Sequence, residues 1–361
     1  MKFAKKILFS SISWVLLLCS MFVGYNTSMW AAGGPPKATI YSAALDNPAF
    51  PVDTVDAQLK KLSAQAWLMI NAEDGRILSC KNPNKIMYPA SMTKMMTCIL
   101  ACESGYLNEI VTISKDAAET PYTNVKKGER YKLKDLLYRV MLPSDNGAAQ
   151  AVGEFLSSKD SVSFDIMMNA KAKSLGMKNT NFVNAHGLPD DNHYSTAKDM
   201  MRLLRYCMMN KTFAEIVSKS SFDISTTAGT RIHLKSTVKL FDKYKGCIGV
   251  KTGTTRAAGG CLASAVVRDG MKIYLVIMKC EPARERTDES IVLYNKGFEM
   301  IKMLGHSNNT VKNKNNTKDR DLEYYDNNGR DVRNVPRPKG SLMNRDEYIK
   351  HQNDDVPRQK L

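Results

Sequence analysis

Apolar residues change their period several times along the chain, and each change predicts a different element. Ala66-Trp67-Leu68-Met69-Ile70-Asn71 is a short, nearly continuous apolar run that reads as a strand. Glu73-Asp74-Gly75 reads as a tight turn, and Arg76-Ile77-Leu78-Ser79 as the returning partner. From Met92 to Glu103 the pattern is an apolar helix ended near Gly105, with Ser91 at its start. Leu133, Leu136, Leu137, Val140 and Met141 recur at helical spacing and stop at Pro143, and a second helix is predicted from Gly147 to Leu156. Later, Cys247 to Val250 lead into Lys251. Cys261 to Val267, the turn Asp269-Gly270 and Lys272 to Met278 make a hairpin, and a last helix is expected from about Asp288 to Met303. Strands at both ends with helices between them predict an α+β fold, one antiparallel sheet flanked by helices with a helical cluster beside it.

The two ends of the chain read differently. Lys2, Lys5 and Lys6 precede an apolar run from Ile7 to Val23, and small residues Ala31-Ala32-Gly33-Gly34 follow. A charged start, an apolar middle and a small-residue exit describe a secretory signal. Interrupting serines and modest length argue against a stable membrane span, which needs roughly 20 apolar residues. Residues 1–32 are therefore expected to be a signal peptide and 33–59 a linker. After Gly305 the composition turns to Asn, Asp, Lys and Arg, so 306–361 is expected to be a polar, disordered tail. One domain, 60–305, remains, long enough for a substantial core.

Charge and cysteines narrow the class. The formal net charge of +16 suits contact with anionic lipid headgroups or anionic wall polymers. Nucleic acid is not expected, because no aromatic-basic repeat or finger spacing is present. Of the eight cysteines, seven follow the leader at irregular spacings, which reads as buried free thiols rather than a disulfide framework. No C-x-x-C pair or His/Cys cluster points to a structural metal, and no cofactor is expected.

Chemistry concentrates in three short polar clusters: Ser91-Met92-Thr93-Lys94, Ser144-Asp145-Asn146 and Lys251-Thr252-Gly253. A serine hydroxyl needs a base, and Lys94 three residues later on a helix lies on the same face. Local positive potential, with Lys251 nearby, favours loss of the Lys94 proton. Ser144 and Asn146 are expected on a connecting loop, where a hydroxyl relays a proton to a leaving amine and an amide orients a peptide. Asp145 reads as loop structure. Lys251 faces a substrate carboxylate, Thr252 and Thr254 supply hydroxyls, and Gly253 removes a side chain that would block backbone approach. The backbone N–H groups of Ser91 and Thr254 are expected to form an oxyanion hole.

Each cluster alone has an ordinary reading: a helix-capping serine with a surface lysine, a polar turn, a strand end. A second S-x-x-K match, Ser236-Thr237-Val238-Lys239, has nothing around it to use it. Together, the three in order point to an active-site serine served by lysines. With five histidines and neither a G-x-S-x-G elbow nor an H-E-x-x-H helix, a histidine triad is disfavoured, and His186 and His193 read as structural.

The surroundings of the clusters resemble the low-molecular-mass penicillin-binding proteins, serine-type D-alanyl-D-alanine carboxypeptidases of the S11 peptidase family. The resemblance lies in Pro89-Ala90-Ser91-Met92-Thr93-Lys94-Met95-Met96-Thr97, Leu175-Gly176-Met177 and Phe182-Val183-Asn184-Ala185-His186-Gly187-Leu188. It continues through His193-Tyr194-Ser195-Thr196-Ala197-Lys198-Asp199 and Val250-Lys251-Thr252-Gly253-Thr254-Thr255-Arg256-Ala257-Ala258-Gly259. It implies a β-lactamase/transpeptidase-like fold and trimming of the terminal D-alanine from peptidoglycan stem pentapeptides in the cell envelope or outside the cell. It also implies an acyl-enzyme on Ser91, Lys94 as base, Ser144 as relay, and substrate contacts at Asn146, Lys251, Thr252 and Thr254. β-Lactams are then covalent inhibitors. Arg286 resembles a family arginine near the terminal carboxylate. Two departures stand out. The polar tail occupies the place where many relatives carry a small β-rich domain and an amphipathic anchor. Lys235-Ser236-Thr237-Val238 replaces the usual N-x-N segment ahead of K-T-G.

Two rival functions follow. A class A β-lactamase needs a glutamate after S-D-N in an E-x-x-L-N setting. The nearest echo, Glu103 to Leu107-Asn108, precedes Ser144. A non-catalytic cell-wall-binding protein is the other, and the intact polar set argues against it.

Overall fold

The computed structural model describes residues 59–315, with side chains to Met303. The expected leader, the linker up to residue 58 and residues 316–361 of the expected tail lie outside the described residues, whereas 306–315, expected to be disordered, are helical. The chain divides into two units, Met1–Ile301 and Lys302–Leu361, and the account below concerns the first.

Five strands form the main sheet: β1 (Ala66–Asn71), β2 (Ile77–Lys81), β7 (Cys247–Thr255), β8 (Gly259–Arg268) and β9 (Met271–Cys280), in the order β2-β1-β9-β8-β7. Every pairing is antiparallel. The expected turns join the strands, with Gly75 at φ 75° and Asp269-Gly270 at φ 51° and 76°. These values suit the glycines, which carry no Cβ to clash.

The strands look apolar without alternation because both faces of the sheet are covered. Their period of two sorts residues into two cores. Ala66, Leu68 and Ile70 join Ala263, Ala265, Val276 and Met278 against the helices on one side. Trp67 and Met69 join Leu262, Val266, Leu275 and Ile277 against Leu293, Tyr294 and Phe298 on the other. The Trp67 indole donates to Ser79 Oγ at 3.0 Å, so its one polar atom is satisfied inside that second core.

Helices fill the interval between the strands. α1 (Lys94–Glu103) is buried from Lys94 to Ala101, as expected of a helix apolar on all sides. α2 (Lys115–Glu119), α3 (Leu133–Met141), α4 (Asn146–Asp160) and α5 (Phe164–Ser174) follow. Then come α6 (Ala197–Met209), α7 (Lys211–Val217), α8 (Leu240–Lys243) and α9 (Arg286–Asn315). Two small two-stranded sheets, β3 (Ile110–Thr112) with β4 (Arg130–Lys132) and β5 (Ser221–Ser225) with β6 (Arg231–Lys235), complete the described fold.

Three boundaries differ from the sequence reading. Ser91 lies in a 3-10 turn, Ala90–Thr93, and the α-helix begins only at Lys94. Asn146, expected on a loop, is the first residue of α4, because Asp145 caps that helix by accepting from the Ala148 N–H at 3.0 Å. The last helix, expected to end at Met303, runs to Asn315.

Asp145 does more than cap. Buried with Arg139, it accepts from Arg139 Nε at 3.0 Å, from the Thr123 hydroxyl at 2.5 Å and from the Asn124 N–H at 3.0 Å. Removing the carboxylate would leave the buried guanidinium of Arg139 without its charge partner. Asp145→Ala is expected to lower stability by about 3–5 kcal/mol, read as the fall in denaturation midpoint at unchanged slope.

The seven cysteines among the described residues are free thiols. Five are buried and Cys102 and Cys247 half-buried, with Cys98 Sγ and Cys102 Sγ 4.0 Å apart. Among the described residues no helix is long and apolar enough to cross a membrane, and no group of three His, Cys, Asp or Glu side chains is placed to hold a metal ion.

Candidate active site

Lys94 is the hub. Its Nζ lies 3.0 Å from Ser91 Oγ, 2.6 Å from Asn146 Oδ1 and 2.7 Å from the His186 carbonyl oxygen. The side chain is fully buried, and that burial pulls its pKa from 10.5 down to about 7, against an opposing pull from Asp145. A neutral amine has two hydrogens and one lone pair. The Asn146 and His186 oxygens are carbonyls that only accept, so they take the two hydrogens. The lone pair is left for the one neighbour able to donate, the Ser91 hydroxyl. This geometry sets up proton removal from Ser91.

The third ligand of Lys94 explains the segment from Phe182 to Leu188. It runs beside α1 and is tied there by side chains. Thr97 Oγ1 donates to the Ala185 carbonyl at 2.6 Å, and Asn184 Oδ1 accepts from the Gly187 N–H at 2.7 Å. Gly187 has φ 84°, and a Cβ there would sit 2.0 Å from the Ala90 carbonyl oxygen, so only glycine fits.

The rings of His186 and His193 are engaged in local hydrogen bonds, that of His186 accepting from the Leu188 N–H at 3.2 Å. His193 Nδ1 accepts from the Val183 N–H, which leaves the proton on Nε2 to donate to Thr93 Oγ1 at 2.7 Å. Burial lowers the His193 pKa to about 4 and, with Lys94 adding repulsion, that of His186 to about 3.

The S-D-N cluster enters through Asn146, whose Nδ2 donates to the Pro121 carbonyl at 2.7 Å while Oδ1 holds Lys94. Ser144 is half-buried at φ 67°, two residues ahead of Asn146. Such φ values strain a non-glycine residue and cluster where geometry is dictated by function. Ala90, immediately before Ser91, is the same, at φ 48°.

The K-T-G strand closes the site. Lys251 is fully buried, with Nζ 3.1 Å from the Thr252 carbonyl oxygen. Burial, Lys94 and Arg286 all hold its pKa well below 10.5. A Cβ on Gly253 would lie 2.8 Å from the Pro89 carbonyl oxygen and 3.2 Å from the Ser91 nitrogen, so β7 presses directly on the serine turn. Gly253→Ala is expected to push that turn away and slow acylation by about 10²-fold. Stopped-flow β-lactam binding checks this, and an unchanged rate would show that the close approach is irrelevant.

Arg286 reaches the same strand. Its Nη1 donates to the Gly253 carbonyl at 3.2 Å and to the Thr254 hydroxyl. Sequence reading missed Thr237, whose hydroxyl is 2.6 Å from that of Thr252 and whose N–H donates to the Leu142 carbonyl at 3.0 Å. Its only signal was the departure at Lys235-Ser236-Thr237-Val238.

An antiparallel sheet whose edge strand presents Lys251-Thr252-Gly253 to a half-buried serine paired with a buried lysine defines the class of active-site-serine acyl-transfer proteins with a lysine in place of histidine. A family model for D-alanyl-D-alanine carboxypeptidase, peptidase S11, matches residues 53–281, and the chain belongs to that family of serine hydrolases. The Bacillus subtilis D-alanyl-D-alanine carboxypeptidase DacF is 31% identical over 230 residues, 62% of this chain and 59% of that protein. DacB2 of Mycobacterium tuberculosis is 30% identical over 242 residues, 65% of this chain and 82% of that one. Among solved structures, the Streptomyces K15 DD-transpeptidase superposes with a TM-score of 0.62 at 27% identity, covering 66% of this chain and 98% of its own. The chain thus spans less than two thirds of the length of DacF.

Proposed function

We propose that this protein is an exported serine D,D-carboxypeptidase that removes the terminal D-alanine from peptidoglycan stem pentapeptides. The observation that carries the reading is the Lys94 amine, buried, its pKa brought down to about 7, and aimed at Ser91 Oγ from 3.0 Å.

Ser91 Oγ attacks the carbonyl carbon of the penultimate residue as its proton passes to Lys94. The carbonyl oxygen becomes an oxyanion between the N–H groups of Ser91 and Thr254. The C–N bond breaks, the departing amine takes a proton relayed through Ser144, and D-alanine leaves. Water then hydrolyses the Ser91 ester, Lys94 taking the water's proton and passing it to the departing Ser91 Oγ, and the shortened peptide is released. Asn146 orients the peptide. Lys251, Thr252, Thr254 and Arg286 surround the terminal carboxylate with positive charge and donors. A β-lactam acylates the same oxygen and blocks it.

The site of action is the cell envelope or its exterior, and the +16 charge would favour residence near anionic wall polymer or lipid headgroups. Incubation of the purified protein with a stem pentapeptide is expected to release free D-alanine, and the same peptide amidated at its C-terminus is expected to resist. No release from the free peptide would remove the carboxypeptidase reading.

A further inference from the structure

The segment that departs from the family pattern, Lys235-Ser236-Thr237-Val238, together with Lys239 after it, also forms the wall of a groove. A cavity of about 300 Å³ lined by Ser220, His233, Lys235, Ser236 and Asp242, among others, opens beside the loop. A second, of about 220 Å³, shares Lys235, Ser236 and Asp242 and adds Thr237, Lys239 and Lys243. The wall is fixed at several points. The Ser236 N–H donates to the Ser220 carbonyl at 2.8 Å, the Thr237 N–H to the Leu142 carbonyl at 3.0 Å, and the Val238 N–H to Ser236 Oγ at 3.2 Å. Through the 2.6 Å contact of the Thr237 and Thr252 hydroxyls, the groove connects directly with the K-T-G strand.

Its charge is unevenly committed. Lys243 already binds Asp288 at 2.8 Å, and His233 faces Asp223 at 2.6 Å. Lys235 and Lys239 are exposed beside a single carboxylate, Asp242. Two ammonium groups against one carboxylate leave one positive charge in excess, with serine and threonine hydroxyls around it as donors.

We propose that this groove is a subsite for a second carboxylate of the peptide substrate, distinct from the C-terminal carboxylate near Arg286. The inference rests on the carboxypeptidase reading above. A group tethered to the reacting peptide lies within reach of the groove because Thr237, which lines it, touches the Thr252 hydroxyl. One excess charge with hydroxyl donors suits a carboxylate better than a multiply charged phosphate chain. Lys235 and Lys239 supply the attraction, and Asp242 moderates it.

The test uses two stem pentapeptides that differ only in whether an internal carboxylate is free or amidated, with KM and kcat for D-alanine release measured separately. In the wild type the free carboxylate is expected to lower KM, an advantage that shrinks as salt is raised. Combined Lys235→Ala and Lys239→Ala is expected to raise KM about tenfold for the free carboxylate alone, leaving kcat and the amidated peptide unchanged. Asp242→Asn is expected to lower KM for the free carboxylate. Acylation by a small β-lactam, which does not reach the groove, checks that each variant is intact. Equal KM for the two peptides in the wild type, or equal effects of the lysine changes on both, would overturn the subsite. So would relief by those changes of competition from glycerol phosphate oligomers with amidation making no difference, which would assign the groove to phosphate. Absence of D-alanine release from both peptides would instead defeat the carboxypeptidase reading.

Discussion

Ser91→Ala is expected to reduce D-alanine release by about 10⁴-fold or more and to abolish the mass increment left by a β-lactam on the intact protein. The change removes one hydroxyl from a half-buried position whose side-chain contact is Lys94, so the melting transition should stay in place. The combination separates loss of chemistry from loss of fold. Equal D-alanine release from the variant and the wild type would remove Ser91 as the nucleophile. A persisting adduct would place the acyl group on another side chain.

Lys94→Met is expected to lower the acylation rate by about 10²- to 10⁴-fold, the usual range for a lost general base. The more telling readout is the pH dependence. The working form of Lys94 is the neutral amine, and its pKa lies at about 7. The wild-type acylation rate should therefore climb as pH rises through about 7 and level off above it. His186 and His193, at about 3 and about 4, are already neutral throughout that range, so they contribute no inflection there. The inflection should vanish in Lys94→Met. If the variant kept it, the titrating group would be another residue and Lys94 would lose its role as base.

The sheet was legible in the sequence because its strands are marked by apolar runs and its turns by glycine. The site was legible because its polar residues are few and ordered. Ser91, Lys94 and Asn146 do meet, and Arg286 reaches the Gly253–Thr254 edge. What the sequence withheld depends on the path of the backbone. The His186 oxygen that binds Lys94 is a main-chain atom, so no side-chain pattern encodes it. Thr237 meets Thr252 only because the segment after the β5–β6 hairpin passes against β7, and a three-dimensional return leaves no spacing to read. The placement of Asn146 on α4 turned on Asp145, whose capping bond was visible in the residue type yet was outweighed by the turn-like look of its neighbours. The small sheets escaped because strands of three to five residues, half-exposed, carry too short an alternation to recognise.

The sorting of β1 into two cores has a practical consequence for watching this molecule at work. The chain carries three tryptophans, Trp14, Trp30 and Trp67, and loss of the expected leader would leave Trp67 as its sole indole. That ring belongs to the core on the far side of the sheet from Met92 and the serine turn. Its emission should be blind to antibiotic or peptide and respond only when the polypeptide opens, giving the mature protein an internal gauge of unfolding that ligation does not disturb.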